Sequence, residues 1–213
     1  MTKKAAKVFV PAPRLWPGEL FVCIASGPSL TADDVAYVRG RARVIAVNNG
    51  YLLAPWADVL WATDARWWRW HKGVPGFAGL KFSLWVGGLA LPKDVHVLRN
   101  DGYSGLCLDP AGVKNGKNGG YAALNLALHL GASRVILLGY DCHRSGGKDH
   151  WHPEHPTKMS NPYQTWRRLF NGMAPELVKA GVSVVNCSRS SSLECFPRMP
   201  LSVALPGLRE AVA

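Results

Sequence analysis

The sequence predicts an α/β protein with a Rossmann-like fold, a mostly parallel sheet with helices on both faces. Strand-like and helix-like segments alternate along the chain, as they do in βαβ units. Several strand-like segments, such as Val135-Ile-Leu-Leu138, are uninterrupted apolar runs, which are typical of strands buried on both faces of a sheet. Small and polar residues follow most of these runs, where the strand ends of a parallel sheet form a ligand crevice.

The length of 213 residues favours one domain. We expect an N-terminal arm over residues 1–19, which contains Pro11, Pro13 and Pro17. A single Rossmann-like domain then covers residues 20–200, and a C-terminal tail covers residues 201–213. The hydrophobic share of 48% is sufficient for a real core.

The charge of the chain points to an anionic partner. The 25 basic and 14 acidic residues give a net charge of +11. Such an excess favours a nucleic acid, a nucleotide or an acidic surface, although a cationic surface also serves solubility alone. The five cysteines contain no Cys-x-x-Cys pair, which indicates reduced thiols and a cytoplasmic protein. No apolar run is long enough for a signal peptide or a membrane span, so we expect no membrane partner.

The first half of the chain predicts three strands and the helices between them. The strands are Leu20–Ile24, Val44–Val47 and Val59–Ala62, and the helix over Ala32–Arg39 starts after Thr31, which is a good N-cap residue. A short apolar helix follows the second strand. The segment from Arg66 to Lys72 is predicted to start an amphipathic helix.

The second half begins with an irregular region. Residues 81–85 and 95–98 are predicted strands, and residues 99–117 are predicted to be a loop whose unusual length suggests function. A helix over residues 120–130 then ends at Gly131, a strand covers residues 134–138, and a helix over residues 163–180 bends near Gly172 or Pro175. The last buried strand is Val182–Val185.

The first loop, Ala25-Ser-Gly-Pro-Ser-Leu30, joins the first strand to the first helix. In α/β proteins such a turn commonly holds a phosphate, because small residues let backbone amides approach the anion. The motif is neither GxGxxG nor a Walker loop, so a plain structural turn is an equal alternative. The candidate ligand-binding residues in this loop are Ser26, Gly27, Pro28 and Ser29.

Polar residues also follow the other predicted strands. Because the carboxyl ends of parallel strands meet at one edge of a sheet, we expect these residues to share one crevice. The aspartates there could bind ribose hydroxyls, coordinate Mg²⁺ or act as a base, and the structural alternative is a helix cap or turn. The residues in question are Ser26, Asn48, Asn49, Asp64, Asp141, Asn186 and Ser188.

The segment Gly147–Pro156 has the composition of a reactive loop, with His150, His152 and His155 close together. A histidine with a pKa near neutrality is a suitable general base for an acceptor hydroxyl. The three imidazoles would also suit a transition metal, but no fourth ligand has the usual spacing, and we predict no metal site. The third alternative is a solvated loop. We select His152 as the base, with His155 second.

Two further clusters have competing interpretations. Trp67, Trp68 and Trp70 alternate with basic residues and would stack on bases or sugars, or they would be the buried face of a helix, an alternative that fits Trp70 least well. The serine-rich run Ser188–Ser192 lacks a Gly-x-Ser-x-Gly elbow, which argues against a hydrolase. It is better explained by phosphate binding or helix capping.

Several motifs resemble a known family. The first loop is similar to the Gly-Asn-Gly-Pro-Ser-Leu loop of bacterial sialyltransferases that use CMP-sialic acid. The block from Asn118-Gly-Gly120 to Gly139-Tyr-Asp141 resembles that family's Thr-Ser-Gly, helix, strand, Gly-Ile-Asp block. The pattern also resembles a domain shared with archaeal 6-hydroxymethylpterin diphosphokinases and with phage-encoded proteins. If this chain is phage-encoded, the host cytoplasm is its expected location.

The resemblance implies a nucleotide held by the first loop, by Asn48 and by the turn Asn118-Gly119-Gly120. The chain departs from the sialyltransferases at Ser26, where they have asparagine, and in the region of Asn161–Gln164, where their catalytic histidine would fall. Nucleotide-dependent group transfer is therefore a broader expectation than CMP-sialic acid as the donor.

We therefore expect a glycosyltransferase-like transferase that moves a group from a nucleotide-activated donor, such as a CMP- or UDP-sugar, to an acceptor hydroxyl. His152 would be the base, with His155 and Asp64 as further catalytic candidates, and the amides of Gly27 and Gly119 would steady the leaving phosphate. One alternative is a diphosphokinase that uses ATP and Mg²⁺ on a pterin-like alcohol. The other is a non-catalytic protein that binds nucleotides or nucleic acid.

Overall fold

Eight strands form one parallel sheet in the computed structural model, which describes residues 9–85, 90–157 and 160–206. The order across the sheet is β6-β5-β4-β3-β2-β1-β7-β8, and every pair of neighbours is parallel. The strands are β1 Leu20–Ile24, β2 Arg43–Val47, β3 Val59–Trp61, β4 Leu80–Leu84, β5 Val95–Asn100, β6 Gly112–Val113, β7 Arg134–Leu138 and β8 Ser183–Asn186.

Helices cover both faces of this sheet. The helices are α1 Ala32–Val38, α2 Ala65–Trp70, α3 Gly119–Leu130, α4 Tyr163–Lys179 and α5 Leu201–Ala204, and a 3₁₀ turn covers Asn48–Leu52. The buried residues of α3 and α4 pack with Phe21 and Cys23 of β1, whereas those of α1, α2 and α5 pack with Val22 and Ile24. Because alternate residues of a strand point to opposite faces, the two cores lie on opposite sides of the sheet. The predicted Rossmann-like fold is confirmed.

The strand order contains one reversal. From β1 the chain builds outward through β2 to β6, and it then crosses over to place β7 on the other side of β1. In open α/β sheets, ligands bind outside the carboxyl ends of the strands at such a reversal. The ends of β1 and β7 are therefore the place to examine for a functional site.

Local sequence accounts for the helix boundaries near this edge. Thr31 caps α1 in a capping box with Asp34, as its residue type predicts. Asn118 caps α3 by accepting a hydrogen bond from the backbone N–H of Tyr121, and Gly131 ends the helix with φ of 112°. Helix α4 continues through Gly172 and Pro175, where the sequence predicted a bend.

The structure adds detail to three predicted segments. Strand β6 lies inside the region predicted as a loop over residues 99–117 and is only two residues long. Residues 1–8 of the predicted arm and 207–213 of the predicted tail lie outside the described residues. The tail begins with α5, and its Leu201 and Ala204 are buried in the core.

None of the helices in the described part of the chain has the length and hydrophobicity that a membrane-spanning segment needs. All five cysteines are free thiols.

Candidate functional site

A cleft opens at the carboxyl edge of the sheet, above the ends of β1, β2, β3 and β7. We call it the main cleft. The loops after these four strands form its floor, the first turn of α3 closes one side, and residues from the segments 142–155 and 160–166 complete the lining. Of the predicted site residues, the main cleft is lined by Ser26, Gly27, Asn48, Asp64, Asn118, Gly119, Gly120, Asp141 and His155.

Asp141 joins the loop after β7 to the first loop. Its carboxylate accepts hydrogen bonds from the backbone N–H of Ser29 at 2.7 Å and from the Ser29 hydroxyl at 2.8 Å. Burial raises the pKa of Asp141, although these two bonds favour the ionised form. The residue is 1% exposed. Both oxygens are thus engaged in holding the first loop, where the sequence predicted contact with a cofactor.

Gly27 is packed tightly against the same loop. A Cβ atom at this position would lie 2.2 Å from Oδ1 of Asp141 and 2.6 Å from the carbonyl oxygen of Gly139, so only glycine fits. The N–H of Gly27 donates to the Gly139 carbonyl at 2.8 Å. The sequence predicted that this amide would hold a phosphate. The structure shows that it is already occupied by the Gly139 carbonyl. Pro28 and Ser29 lie outside the lining of the cleft.

The serine-rich run Ser188–Ser192 holds the loop after β7 through hydrogen bonds. The Ser188 hydroxyl accepts a hydrogen bond from the N–H of Tyr140, and the Ser191 hydroxyl donates to the Tyr140 carbonyl, both at 2.7 Å. The N–H of Ser192 donates to the Asp141 carbonyl at 2.8 Å. Asn186 also bonds Ser191 rather than facing the cleft. These residues position the loop that carries Asp141, a role that the sequence did not predict.

The first turn of α3 lies directly over the end of β1. A Cβ atom on Gly119 would be 3.3 Å from the Asn48 side chain, at the end of β2, and one on Gly120 would be 2.7 Å from the ring of Tyr140, after β7. Since β1 lies between β2 and β7, the helix starts above the point where the strand order reverses. Within the described residues, no acceptor binds the backbone N–H of Gly119 or Gly120.

The two asparagines after β2 have different surroundings. Asn48 adopts a left-handed conformation with φ of 49° and lines the cleft, and no described residue forms a hydrogen bond with its amide group. Asn49 is buried, and its Oδ1 accepts a hydrogen bond from Nε1 of Trp67 at 2.7 Å. Asn48 is thus available to a ligand, whereas Asn49, also predicted to bind the cofactor, anchors a tryptophan.

Asp64 lines the cleft and caps α2. Its Oδ1 accepts a hydrogen bond from the N–H of Arg66 at 2.8 Å, and its Oδ2 forms an ion pair with the Arg66 guanidinium at 2.6 Å. Burial opposes ionisation, but the bonds from Arg66 outweigh it and keep the pKa of Asp64 below its usual value. Asp64 is therefore an ionised cap rather than a proton acceptor with a pKa near neutrality.

Aromatic rings form the wall on the β3 side. Trp67 and Trp68 are buried, and Trp70 is partly exposed and lines the cleft. His155 stacks on Trp70 with ring centroids 5.8 Å apart, and His71 stacks on Trp67 at 4.2 Å. Trp67 and Trp70 both line the cleft, and Trp70 is the more exposed of the two.

The three histidines of the reactive segment are packed together but differ in their access to the cleft. His150 and His155 line it, whereas His152 lies behind them and is 7% exposed. Burial lowers the pKa of each imidazole, that of His152 to about 4. Among the described residues, no group of three or more His, Cys, Asp or Glu side chains is arranged to hold a metal ion.

Several cleft residues were not selected from the sequence, among them Lys117 and Tyr163. Lys117 precedes the cap residue of α3 and lines the cleft. Its carbonyl accepts a hydrogen bond from Nε1 of Trp166 at 2.8 Å, which ties the first turn of α4 to the start of α3. A basic residue directly before Asn118-Gly119-Gly120 was the available signal. Tyr163 also lines the cleft and donates to Asp149 at 2.6 Å.

Comparison with known proteins adds no relative, since no family model, curated protein or solved structure matches this chain.

Proposed function

We propose that the main cleft binds a nucleotide through its phosphate and that the protein transfers a group from this nucleotide-activated donor to an acceptor hydroxyl. The observation that carries the proposal is the position of α3. Its first turn lies over the end of β1, and the N–H groups of Gly119 and Gly120 have no partner among the described residues. Such a helix start is the usual place for a phosphate in an α/β protein.

The residues around this helix start suit an anion. Helix α3 has 12 residues, so its amides and dipole favour negative charge at Gly119 and Gly120. Lys117 lines the same end of the cleft, with its ammonium 5.0 Å from the ring centroid of Tyr103, and Asn48 adds an amide group. The N–H of Ser26 also makes no hydrogen bond to a described residue. In this proposal Ser26 replaces Gly27 as the contact from the first loop.

The aromatic wall suits the remainder of the donor. Trp67 and Trp70 line the cleft together with Thr63 and Asp64. His155 stacks on the Trp70 ring and the Arg66 guanidinium lies 6.0 Å from its centroid, so a nucleobase or sugar would have to share this ring with both groups. A donor would therefore extend from the start of α3, where its phosphate is held, towards Trp70.

His155 is the base in this proposal. It lines the cleft, and because burial and the neighbouring imidazoles lower its pKa it is neutral at pH 7, with a free electron pair. The acceptor oxygen would form a bond to the transferred group while the bond from that group to the nucleotide phosphate breaks. The phosphate leaves with the electron pair, and the hydroxyl proton passes to His155.

The diphosphokinase alternative requires Mg²⁺, for which the carboxylates of the cleft would be the natural ligands. Asp64 is paired with Arg66, and both oxygens of Asp141 bond Ser29. Asp149 accepts a hydrogen bond from Tyr163. Oδ2 of Asp149 has no hydrogen bond to a described residue. However, no group of three or more His, Cys, Asp or Glu side chains among the described residues is arranged to hold a metal ion, so the donor set fits Mg²⁺ poorly, and we derive no step through it.

Isothermal titration of the protein with CMP, UDP, ATP and GDP, each with and without Mg²⁺, tests the proposal. We expect at least one nucleotide to bind without Mg²⁺. Lys117→Gln should weaken that binding several-fold, while the matched variant Lys179→Gln, on the exposed surface of α4, should leave it unchanged. Absence of binding by all four nucleotides would contradict the proposal, as would equal binding by both variants.

A second titration isolates Asn48. Asn48→Gly removes the amide group but keeps a residue that tolerates the left-handed conformation. Loss of one hydrogen bond should weaken nucleotide binding about tenfold. The control is Lys72→Gly, since Lys72 has a similar φ of 52° but lies outside the cleft. If the two variants bind nucleotide with equal affinity, Asn48 does not contact the nucleotide.

A further inference from the structure

A second cavity lies beside the main cleft. It does not include the start of α3, where the phosphate of the nucleotide is proposed to bind. We call it the side cavity. It has a volume of about 570 Å³, and the main cleft has about 240 Å³. Small-molecule sites usually occupy roughly 300–1,000 Å³, so the main cleft alone is small for a donor and an acceptor together. Four residues line both spaces, namely Asp149, His150, His155 and Asn161.

The side cavity contains His152, whose tautomer the structure determines. Nδ1 of His152 lies 2.6 Å from the carbonyl oxygen of Pro153. A carbonyl only accepts, so Nδ1 carries the hydrogen and donates it. In the neutral ring the other nitrogen, Nε2, then has a lone pair and can only accept a hydrogen bond.

Nε2 of His152 is buried and has no hydrogen-bond partner among the described residues. His150 stacks on the ring with centroids 4.9 Å apart, and His155 meets it edge-on at 5.1 Å. Burial lowers the pKa of His152 to about 4, so the ring stays neutral at pH 7. A buried polar atom without a partner is destabilising, and in native proteins such atoms are usually satisfied by a ligand, an ion or a water molecule.

We propose that the side cavity binds the acceptor of the transfer reaction and that Nε2 of His152 accepts a hydrogen bond from an O–H group of this acceptor. The inference rests on the proposed function, since it assigns the second substrate of the same site. The acceptor is a polyhydroxylated molecule: one hydroxyl is held by His152, and another is presented to His155 in the shared wall. His152 is thus a positioning residue, and the base is His155.

The charges at the rim agree with such a ligand. Arg144 and Lys148 line the side cavity with exposed side chains, and Glu154 lines it with the opposite charge. Arg144 is also paired with Asp149 at 3.3 Å. Because the rim contains both positive and negative side chains, it does not favour a strongly charged ligand. A hydroxyl group can donate a hydrogen bond to a carboxylate and accept one from a cationic side chain.

Long-range ¹H–¹⁵N NMR of protein labelled at histidine nitrogen tests the proposal directly, because the Nε2 resonance reports whether that atom accepts a hydrogen bond. The probes are glycerol, D-ribose and D-glucose, and the control is 1,2-dimethoxyethane, which has no O–H donor. We expect at least one hydroxylated probe to shift the Nε2 resonance of His152, and the control to leave it in place. The idea fails if no hydroxylated probe moves the resonance, or if the free protein already shows a hydrogen-bonded Nε2 that no probe changes, as a buried water would produce.

Two variants separate this proposal from the nucleotide proposal. His152→Gln keeps an oxygen acceptor near the position of Nε2, and His152→Met keeps the volume without it. For the probe that binds, we expect about tenfold weaker binding to His152→Met and recovery in His152→Gln. Both variants should bind nucleotide as the wild type does. Equal probe binding by the two variants overturns the acceptor site, whereas absence of nucleotide binding in the wild type overturns the proposed function instead.

Discussion

The carboxylate of Asp141 accepts two hydrogen bonds from a single residue, Ser29, which lies 112 positions earlier in the chain. The bonds go to the backbone N–H and to the hydroxyl. They join the loops that follow β1 and β7, the two strands between which the sheet reverses its order. The floor of the main cleft therefore depends on this pair.

Asp141→Asn should destabilise the protein by about 1–3 kcal/mol, because the amide offers one acceptor oxygen to two donors and leaves one donor unsatisfied. Ser29→Ala removes only the hydroxyl and should cost about 1 kcal/mol. Urea unfolding measures both. The exposed Asp33→Asn is the control and should change stability by less than about 0.5 kcal/mol. Wild-type stability in Asp141→Asn would show that the pair does not hold the loops together.

Gly120 and Gly172 provide a matched test of the packing around α3. Both lie in helices, where alanine is normally favoured by about 1 kcal/mol. A Cβ on Gly120 would lie 2.7 Å from the Tyr140 ring, whereas a Cβ on Gly172 would meet nothing within 4 Å. We expect Gly120→Ala to destabilise by about 1–3 kcal/mol and Gly172→Ala to stabilise by about 0.5–1 kcal/mol. Thermal unfolding of the two variants should move in opposite directions, and a shift of the same sign would refute the close approach of α3 to Tyr140.

Substitutions at Asp64 distinguish a helix-capping role from a catalytic role. Asp64→Asn retains an oxygen for the N–H of Arg66, so it should keep stability within about 0.5 kcal/mol, whereas Asp64→Ala should lose about 1 kcal/mol. Nucleotide binding should be the same in wild type and Asp64→Asn. If Asp64→Asn instead abolishes binding or turnover while the fold persists, the carboxylate acts on the ligand, as the sequence predicted.

The buried imidazole of His152 makes stability depend on pH. Its pKa is lowered to about 4 in the folded protein, against about 6.5 when unfolded, so the unfolded state binds the proton more readily below pH 6.5. The stabilisation is complete above pH 6.5 and is lost as the pH falls towards 4. Between pH 7.5 and pH 5 we expect this residue to contribute a loss of about 2 kcal/mol.

Urea unfolding of the wild type and of His152→Met at both pH values measures that contribution. The variant should lose about 2 kcal/mol less than the wild type over this interval. An equal loss in the two proteins would mean that His152 is not buried in the neutral form. His150 and His155, whose pKa values are also lowered, contribute to the remaining loss in both proteins.

Much of the fold follows from local sequence patterns. The apolar run Leu20–Ile24 and the cap at Thr31 are in the structure where the sequence places them, because burial on both faces and helix capping are properties of a few adjacent residues. Strand β6 could not be found in this way. Its two residues, Gly112 and Val113, carry no periodic signal, and only pairing with β5 makes them a strand.

The site was harder to predict than the fold, since it depends on which way side chains point in loops. The strand-end pattern correctly brings Ser26, Asn48 and Asp141 to one edge of the sheet. It does not show that the Gly27 N–H is occupied by Gly139 or that His152 lies behind its neighbours. Both depend on contacts between residues far apart in the chain, so a single sequence contains no local signal for them.

The amide resonances of Gly119 and Gly120 test the central claim most directly, because the proposed phosphate lies against these two N–H groups. In ¹H–¹⁵N spectra recorded with CMP, UDP, ATP or GDP, we expect both amide protons to move downfield with at least one nucleotide. The amide of Gly172, in α4, should stay in place. Binding of a nucleotide that leaves Gly119 and Gly120 unmoved, or spectra that none of the four nucleotides changes, would contradict the account.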